Sequence, residues 1–165
     1  MLASLWLLSP APAHAQAETI TIAQRYMALV CTGVCVDYDL SVTANGWVDF
    51  RTGWQGRRTH RIRFQLTRGE AENFRAVLRP IRPAGPSGPG AACKQDDIDE
   101  GVFQLDIGWG GGGRDARLTV CGEPASVFCT ARRALNALRL SPHSRRRLTA
   151  AQAREVYSEA MLACP

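Results

Sequence analysis

The chain is 165 residues long. This length leaves room for one domain with a real core or for two very small domains, and it excludes an array of several full-sized domains. Its composition, 45% hydrophobic and 21% charged, is ordinary for a globular protein. The formal net charge is +5, and arginine supplies every basic residue except Lys94. We attribute this skew to a GC-rich genome. The alternative is a polyanion-binding surface, because guanidinium matches phosphate geometry better than ammonium does.

The chain begins with an apolar leader that predicts export. Met1–Leu8 is almost wholly apolar, and Ala13-His14-Ala15 has the small-x-small pattern that signal peptidase cleaves. The apolar core is far shorter than the roughly 20 residues that a membrane span needs. We therefore predict a signal peptide over residues 1–15, cleavage after Ala15, and a periplasmic or secreted bacterial protein over 16–165. No transmembrane segment is expected after cleavage.

Six cysteines follow the leader, and an even number in an oxidising compartment predicts disulfide bonds. The disulfide candidates are Cys31, Cys35, Cys93, Cys121, Cys129 and Cys164. Residues four apart in an extended strand are about 13 Å apart, whereas a disulfide needs Cα atoms within about 7 Å. A Cys31–Cys35 bond therefore requires a bend, which Gly33 makes easy. The other four cysteines can form two disulfides in three different ways. Of these three we favour the arrangement that joins Cys93 to Cys121 and Cys129 to Cys164.

Strict alternation of apolar and polar residues predicts a strand over Val36–Val42, and a second strand follows Asn45-Gly46. A two-residue turn at this point would place apolar residues of one strand opposite polar residues of the other. A three-residue loop, residues 44–46, instead pairs Val42 with Val48 and Leu40 with Phe50. The register therefore predicts the three-residue loop, with Gly46 in the left-handed region.

The next elements are a strand and a helix. The strand places Ile62, Phe64 and Leu66 on one face and Arg61 and Arg63 on the other. Thr67 and Glu70 form a capping-box pattern, and prolines stop the helix that follows. Its apolar stripe is Ala71, Phe74, Leu78 and Ile81.

Residues 83–92 are almost wholly Pro, Gly, Ala and Ser and are typical of a linker or long surface loop, after which strands and helices return. Two further strands, joined by Gly110–Gly113, carry the alternating residues Phe103, Leu105, Ile107, Trp109, Ala116, Leu118 and Val120. A helix beginning near Pro124 has the stripe Val127, Ala131, Leu135 and Leu138, and a last helix runs from Thr149 toward Met161. We predict a single α+β domain, with a first half over 20–82, a second over 93–165, and two or three helices on one face of an antiparallel sheet.

The run Cys31-Thr32-Gly33-Val34-Cys35-Val36-Asp37-Tyr38, followed by a strand and a Gly turn, resembles the opening of a bacterial family catalogued as domain of unknown function 6438. Members begin with Cys-x-Gly-x-Cys-Pro-x-Tyr, and this chain has Val36 where the family usually has proline. The resemblance covers residues 22–82 well and the second half only in element order. It implies the fold just described and no particular activity.

The spacing of Cys31 and Cys35 is also similar to the copper motif of the thioredoxin-fold proteins that deliver copper to cytochrome oxidase. Two thiolates at that spacing suit Cu(I). In those proteins a helix follows the motif and a distant histidine contributes, whereas an alternating strand follows here. We favour a structural disulfide and keep thiol-redox or copper-handling chemistry as the alternative function.

Two groups of arginines are candidates for a polyanion-binding face: Arg57, Arg58, Arg61 and Arg63, and Arg145–Arg147 with Arg132, Arg133 and Arg139 nearby. The acidic run 96–101 fails the calcium-loop pattern, and no spacing places a nucleophile beside a base. We expect no metal, no cofactor and no nucleic-acid partner. The favoured function is a non-enzymatic binding or interaction module of the bacterial envelope, whose partner is an envelope protein or an anionic surface. An inhibitor or polyanion-binding protein is a further alternative.

Overall fold

The computed structural model describes residues 18–27, 36–54, 57–86, 102–111, 115–122, 125–138 and Cys164. The side chains of residues 36, 54, 57–59, 102 and 125 are outside that description. The strands are β1 (Thr19–Met27), β2 (Val36–Val42), β3 (Trp47–Trp54), β4 (Arg57–Gln65), β5 (Val102–Gly110) and β6 (Ala116–Cys121). The helices are α1 (Arg68–Leu78), which continues into a 3₁₀ turn over Arg79–Ile81, and α2 (Ala125–Ala137).

All six strands form one antiparallel sheet in the order β4-β3-β2-β1-β5-β6. The sheet therefore contains strands from both sides of the Pro/Gly-rich segment. Strand β1 was not predicted from the sequence, although it lies inside the sheet and pairs with both β2 and β5. Its residues Ile20 and Ile22 are buried, and so is Gln24, which interrupts the apolar alternation.

One face of the sheet is covered by α1 and α2, and the core lies between these two layers. The predicted stripes face inward, since Phe74 and Leu78 of α1 and Ala131 and Leu135 of α2 are fully buried. The core strand residues are Ile20, Ile22, Tyr38, Leu40, Val42, Val48, Phe50, Leu105, Ile107, Trp109 and Ala116. The α+β prediction of an antiparallel sheet with helices on one face is confirmed. No helix in the described part of the chain is long and apolar enough to cross a membrane.

The predicted hairpin register is confirmed: Val42 pairs with Val48, and Leu40 pairs with Phe50. Gly46 has a φ of 83°, a left-handed conformation that favours glycine. Space also limits this position, because a Cβ atom there would lie 3.2 Å from the carbonyl oxygen of Leu66. The turn therefore depends on glycine for two separate reasons.

The capping box of α1 is also confirmed. Thr67 accepts a hydrogen bond from the backbone N–H of Glu70, and the Glu70 carboxylate accepts one from the backbone N–H of Thr67 at 2.8 Å. Two donors that would otherwise be unsatisfied at the start of the helix are thereby paired.

A disulfide joins Cys129 of α2 to Cys164, with Cα atoms 5.4 Å apart, which is one of the pairings that spacing left open. Cys121 at the end of β6 is also disulfide-bonded, and its partner is outside the described residues. The predictions for the leader, for Cys31, Cys35 and Cys93, for the acidic run 96–101 and for the last helix concern residues outside this description.

Candidate functional site

The second face of the sheet is polar, and neither α1 nor α2 packs on it. Alternation along the strands sends every second side chain to this face, which we call the open face. In the described part of the chain its charged residues are Arg25, Asp37, Asp39, Asp49, Arg51, Arg61, Arg63, Asp106 and Arg117.

Three of these arginines surround a single carboxylate near the sheet edge formed by β4. Asp49 of β3 lies directly across from Arg63 of β4, and Arg51 lies across from Arg61. These four residues form what we call the arginine cluster. The register of the β3–β4 pair brings them together, because residues opposite each other or two apart on one face are neighbours in a sheet.

Both carboxylate oxygens of Asp49 accept hydrogen bonds from the cluster. Arg61 donates from Nε at 2.9 Å to Oδ1 and from Nη2 at 2.5 Å to Oδ2. Arg51 donates in the same two-point manner at 3.3 and 3.0 Å. Arg63 donates Nε and Nη2 to Oδ2 at 3.3 and 3.2 Å. Two-point contacts of this kind fix the orientation of the guanidinium planes.

The charges of the cluster do not balance. Hydrogen bonds from Arg51, together with those from Arg61, hold the pKa of Asp49 below its ordinary value, although partial burial of the carboxyl opposes the shift. The Asp49 carboxylate also raises the pKa of Arg51. Asp49 is therefore ionised at neutral pH, where arginine side chains are always protonated. Three arginines against one aspartate leave an excess of two positive charges at this position.

The cluster also keeps hydrogen-bond donors that its aspartate does not use. Each arginine contacts Asp49 through Nε and Nη2, and within the described structure none of the three donates from Nη1. The Arg61 and Arg63 side chains are 44% and 61% exposed, so an incoming anion can reach them. Trp47 precedes Asp49 by two positions on the same face and is 49% exposed.

A second ionic contact extends from the cluster along the sheet. Asp39 of β2 lies across from Arg51, and it is paired with Arg25 of β1. Arg25 Nη1 also donates to the carbonyl oxygen of Tyr38 at 2.9 Å. This pair is electrically balanced, so the positive excess stays at the β3–β4 end of the open face.

Asp106 of β5 forms a different kind of centre at the other end of the face. It accepts hydrogen bonds from Thr119 at 2.5 Å, Gln104 at 2.6 Å and Arg117 at 3.1 Å. Burial raises the pKa of Asp106, but these three donors outweigh that effect and leave the pKa below its ordinary value. Asp106 and Asp49 are thus ionised acceptors with paired oxygens, unlike a general base poised near neutral pH.

The arginines predicted from the sequence are divided between different parts of the fold. Arg61 and Arg63 are in the cluster, while Arg57 and Arg58 begin β4 and their side chains are outside the described part. Arg132 and Arg133 belong to the helix layer, where Arg132 Nη1 donates to the carbonyl oxygen of Cys164 at 3.3 Å. The two predicted groups therefore do not converge as far as the structure describes them.

Sequence reasoning missed Asp49 and Arg51. The available signal was their spacing, since residues two apart on a strand share a face. Within the described residues, no group of three His, Cys, Asp or Glu side chains could hold a metal ion.

No family model matches the chain, no curated protein matches it, and no solved structure matches it. The resemblance to domain of unknown function 6438 stays a prediction from the sequence.

Proposed function

We propose that this protein is an exported, non-enzymatic binding module of the bacterial envelope, and that the arginine cluster is its site for a ligand with clustered anionic groups. The observation that carries the proposal is the unequal charge of the cluster, three guanidinium groups against one carboxylate. The rest of the described open face has no positive excess, because its two arginines, Arg25 and Arg117, are paired with Asp39 and Asp106.

The physical basis is charge-assisted hydrogen bonding by groups that are already oriented. Asp49 fixes the three guanidinium groups, so a phosphate or carboxylate of the ligand meets donors whose side-chain freedom is already reduced. The Arg61 and Arg63 side chains are exposed, so salt in the solvent screens their attraction for an anion. Binding should therefore be strong at low salt and fall steeply as salt is added.

The test uses inorganic triphosphate as the probe, titrated into the mature protein by calorimetry at low and high salt. The double variant Arg61→Gln, Arg63→Gln should bind at least about tenfold more weakly, since it removes two charge-assisted contacts of about 1.5 kcal/mol or more each. Asp49→Asn should bind more tightly, because the excess rises from two to three positive charges.

Two matched controls separate the cluster from general charge. Arg117→Gln removes one arginine from the same face, where it is paired with Asp106. Arg68→Gln removes an arginine of α1 that pairs with Glu72. Both should bind triphosphate nearly as the wild type does. Equal losses in the controls and in the cluster variant would overturn the proposal, as would the absence of binding at low salt.

A further inference from the structure

Strand β4 is at the end of the sheet, and the direction of its backbone groups follows from one hydrogen bond. The N–H of Leu66 donates to the carbonyl oxygen of Gly46 at 2.9 Å, in line with the β3–β4 register. In an antiparallel pair, opposite residues alternate between exchanging hydrogen bonds and exchanging none. Ile62 and Phe64 therefore bond to β3, and the N–H and C=O groups of Arg61, Arg63 and Gln65 point away from the sheet.

These outward N–H and C=O groups have no hydrogen-bond partner in the part of the chain that the structure describes. β4 pairs with β3 alone, and Arg61, Arg63 and Gln65 make no other backbone contact there. Unpaired backbone groups of an edge strand form a template for another strand.

The side chains along this edge alternate in chemistry. Arg61 and Arg63 are exposed on the open face, whereas Ile62 and Phe64 are half-buried on the helix-covered face and pack against the core. A strand added beside β4 would place every second one of its side chains on the open face, next to Arg61 and Arg63. Its other side chains would lie on the helix-covered face, next to Ile62 and Phe64.

We propose that the outer edge of β4 binds an extended segment of a protein partner in which acidic residues alternate with apolar ones. The proposal rests on the anion-binding role of the arginine cluster and names its occupant. Charged side chains on an edge normally discourage the addition of another strand. Carboxylates of the partner opposite Arg61 and Arg63 attract these arginines, so the edge charges favour this particular strand. The apolar residues of the partner cover the half-buried Ile62 and Phe64 at the edge of the core.

The register of the added strand is determined by the same alternation. The added strand runs antiparallel to β4, as every neighbouring pair of the described sheet does. Residues opposite Arg61 and Arg63 then exchange backbone hydrogen bonds with them and point to the same face. The acidic residues of the partner are thus also the residues whose N–H groups bond to β4, while the N–H groups of the apolar residues point away. This coupling supplies a specific test.

The probe is a blocked seven-residue peptide of alternating valine and glutamate, titrated into the mature protein at low salt. Methylation of the glutamate backbone nitrogens should weaken binding about tenfold or more, because it removes the donors that bond to β4. Methylation of the valine backbone nitrogens is the matched control and should change binding little. Amide hydrogen exchange should slow at Arg61, Arg63 and Gln65 and stay unchanged at Ile62 and Phe64.

A protein variant tests the same contact from the other side. Gln65→Pro removes one outward N–H without a change of charge, and an edge strand tolerates proline at such a position. It should bind the peptide about fivefold more weakly, as expected for one lost hydrogen bond. Gln65→Thr is the control, since both variants lose the 3.4 Å contact from the Gln65 side chain to the carbonyl oxygen of Asn45.

The possible results separate this inference from the proposed function. Equal binding of both methylated peptides, with triphosphate still bound, would overturn strand addition and leave the anion site standing. Binding of phosphatidylglycerol vesicles without slowed exchange at the three amides would also overturn it, in favour of a membrane surface. Failure of triphosphate and peptide alike would reject the proposed function itself.

Discussion

The disulfide between Cys129 and Cys164 should contribute a large part of the protein's stability. The two residues are 35 positions apart, and closing a loop of that length in the denatured chain is worth about 4 kcal/mol in the chain-entropy model. Replacing both cysteines with alanine should therefore lower the melting temperature by about 10 °C, since 1 kcal/mol corresponds to about 2–4 °C in a chain of this size.

The assay is thermal unfolding of the oxidised protein, followed by circular dichroism. Arg132→Ala is the control, because it removes a hydrogen bond of 3.3 Å to the backbone of Cys164 and keeps the covalent link. We expect it to lower the melting temperature by only about 2–4 °C, as for one hydrogen bond of about 1 kcal/mol. A shift below about 3 °C in the double alanine variant would refute the reasoning.

Three further predictions concern the sheet and its first helix. The buried hydroxyl of Thr52 has no hydrogen-bond partner within the described structure, so Thr52→Val should stabilise the protein by about 1 kcal/mol in urea unfolding, and a loss of stability would contradict this. Because the folded-state pKa of Asp106 is lowered, its contribution is complete above its ordinary pKa of 3.8 and is lost as the pH falls through the folded value. Asp106→Asn should therefore lose less stability than the wild type between pH 5 and about pH 2, and parallel pH profiles would count against that origin. Thr67→Ala should cost about 1 kcal/mol by removing the helix cap, and an unchanged urea midpoint would argue that the Glu70 contact alone is sufficient.

The elements predicted correctly are those whose signals are local. Strict alternation from Val36 to Val42 and the need to keep one face apolar were enough to determine the hairpin register. Thr67 and Glu70 likewise marked the start of α1 through contacts three residues apart.

Strand β1 escaped prediction because its signal is short and its pairing is distant. Only Ile20 and Ile22 alternate clearly before Gln24, which is polar and yet fully buried. Its pairing with β5 depends on residues far away in the sequence, and a local pattern carries no information about such a contact.

The arginine cluster was predicted only in part for a similar reason. Arg61 and Arg63 stood out as a run of basic residues on one face of a strand. The role of Asp49 depends on the pairing of β3 with β4, because that register places it opposite Arg63. Without Asp49 the arginines would form only a positively charged surface. With its carboxylate between them, their guanidinium groups become a set of oriented hydrogen-bond donors.

The interior position of β1 affects the order in which the protein can fold. Ile22 pairs with Ile107, 85 positions later in the sequence (22 to 107). Contacts so distant in sequence slow folding, because the loss of chain entropy precedes the gain from the contact. During synthesis β1 is made before β5, so it must wait for β5 before both of its edges are covered. During that interval its unpaired edge is available to other chains, so slow synthesis should promote aggregation more than it would in a protein whose strands pair in order of their synthesis.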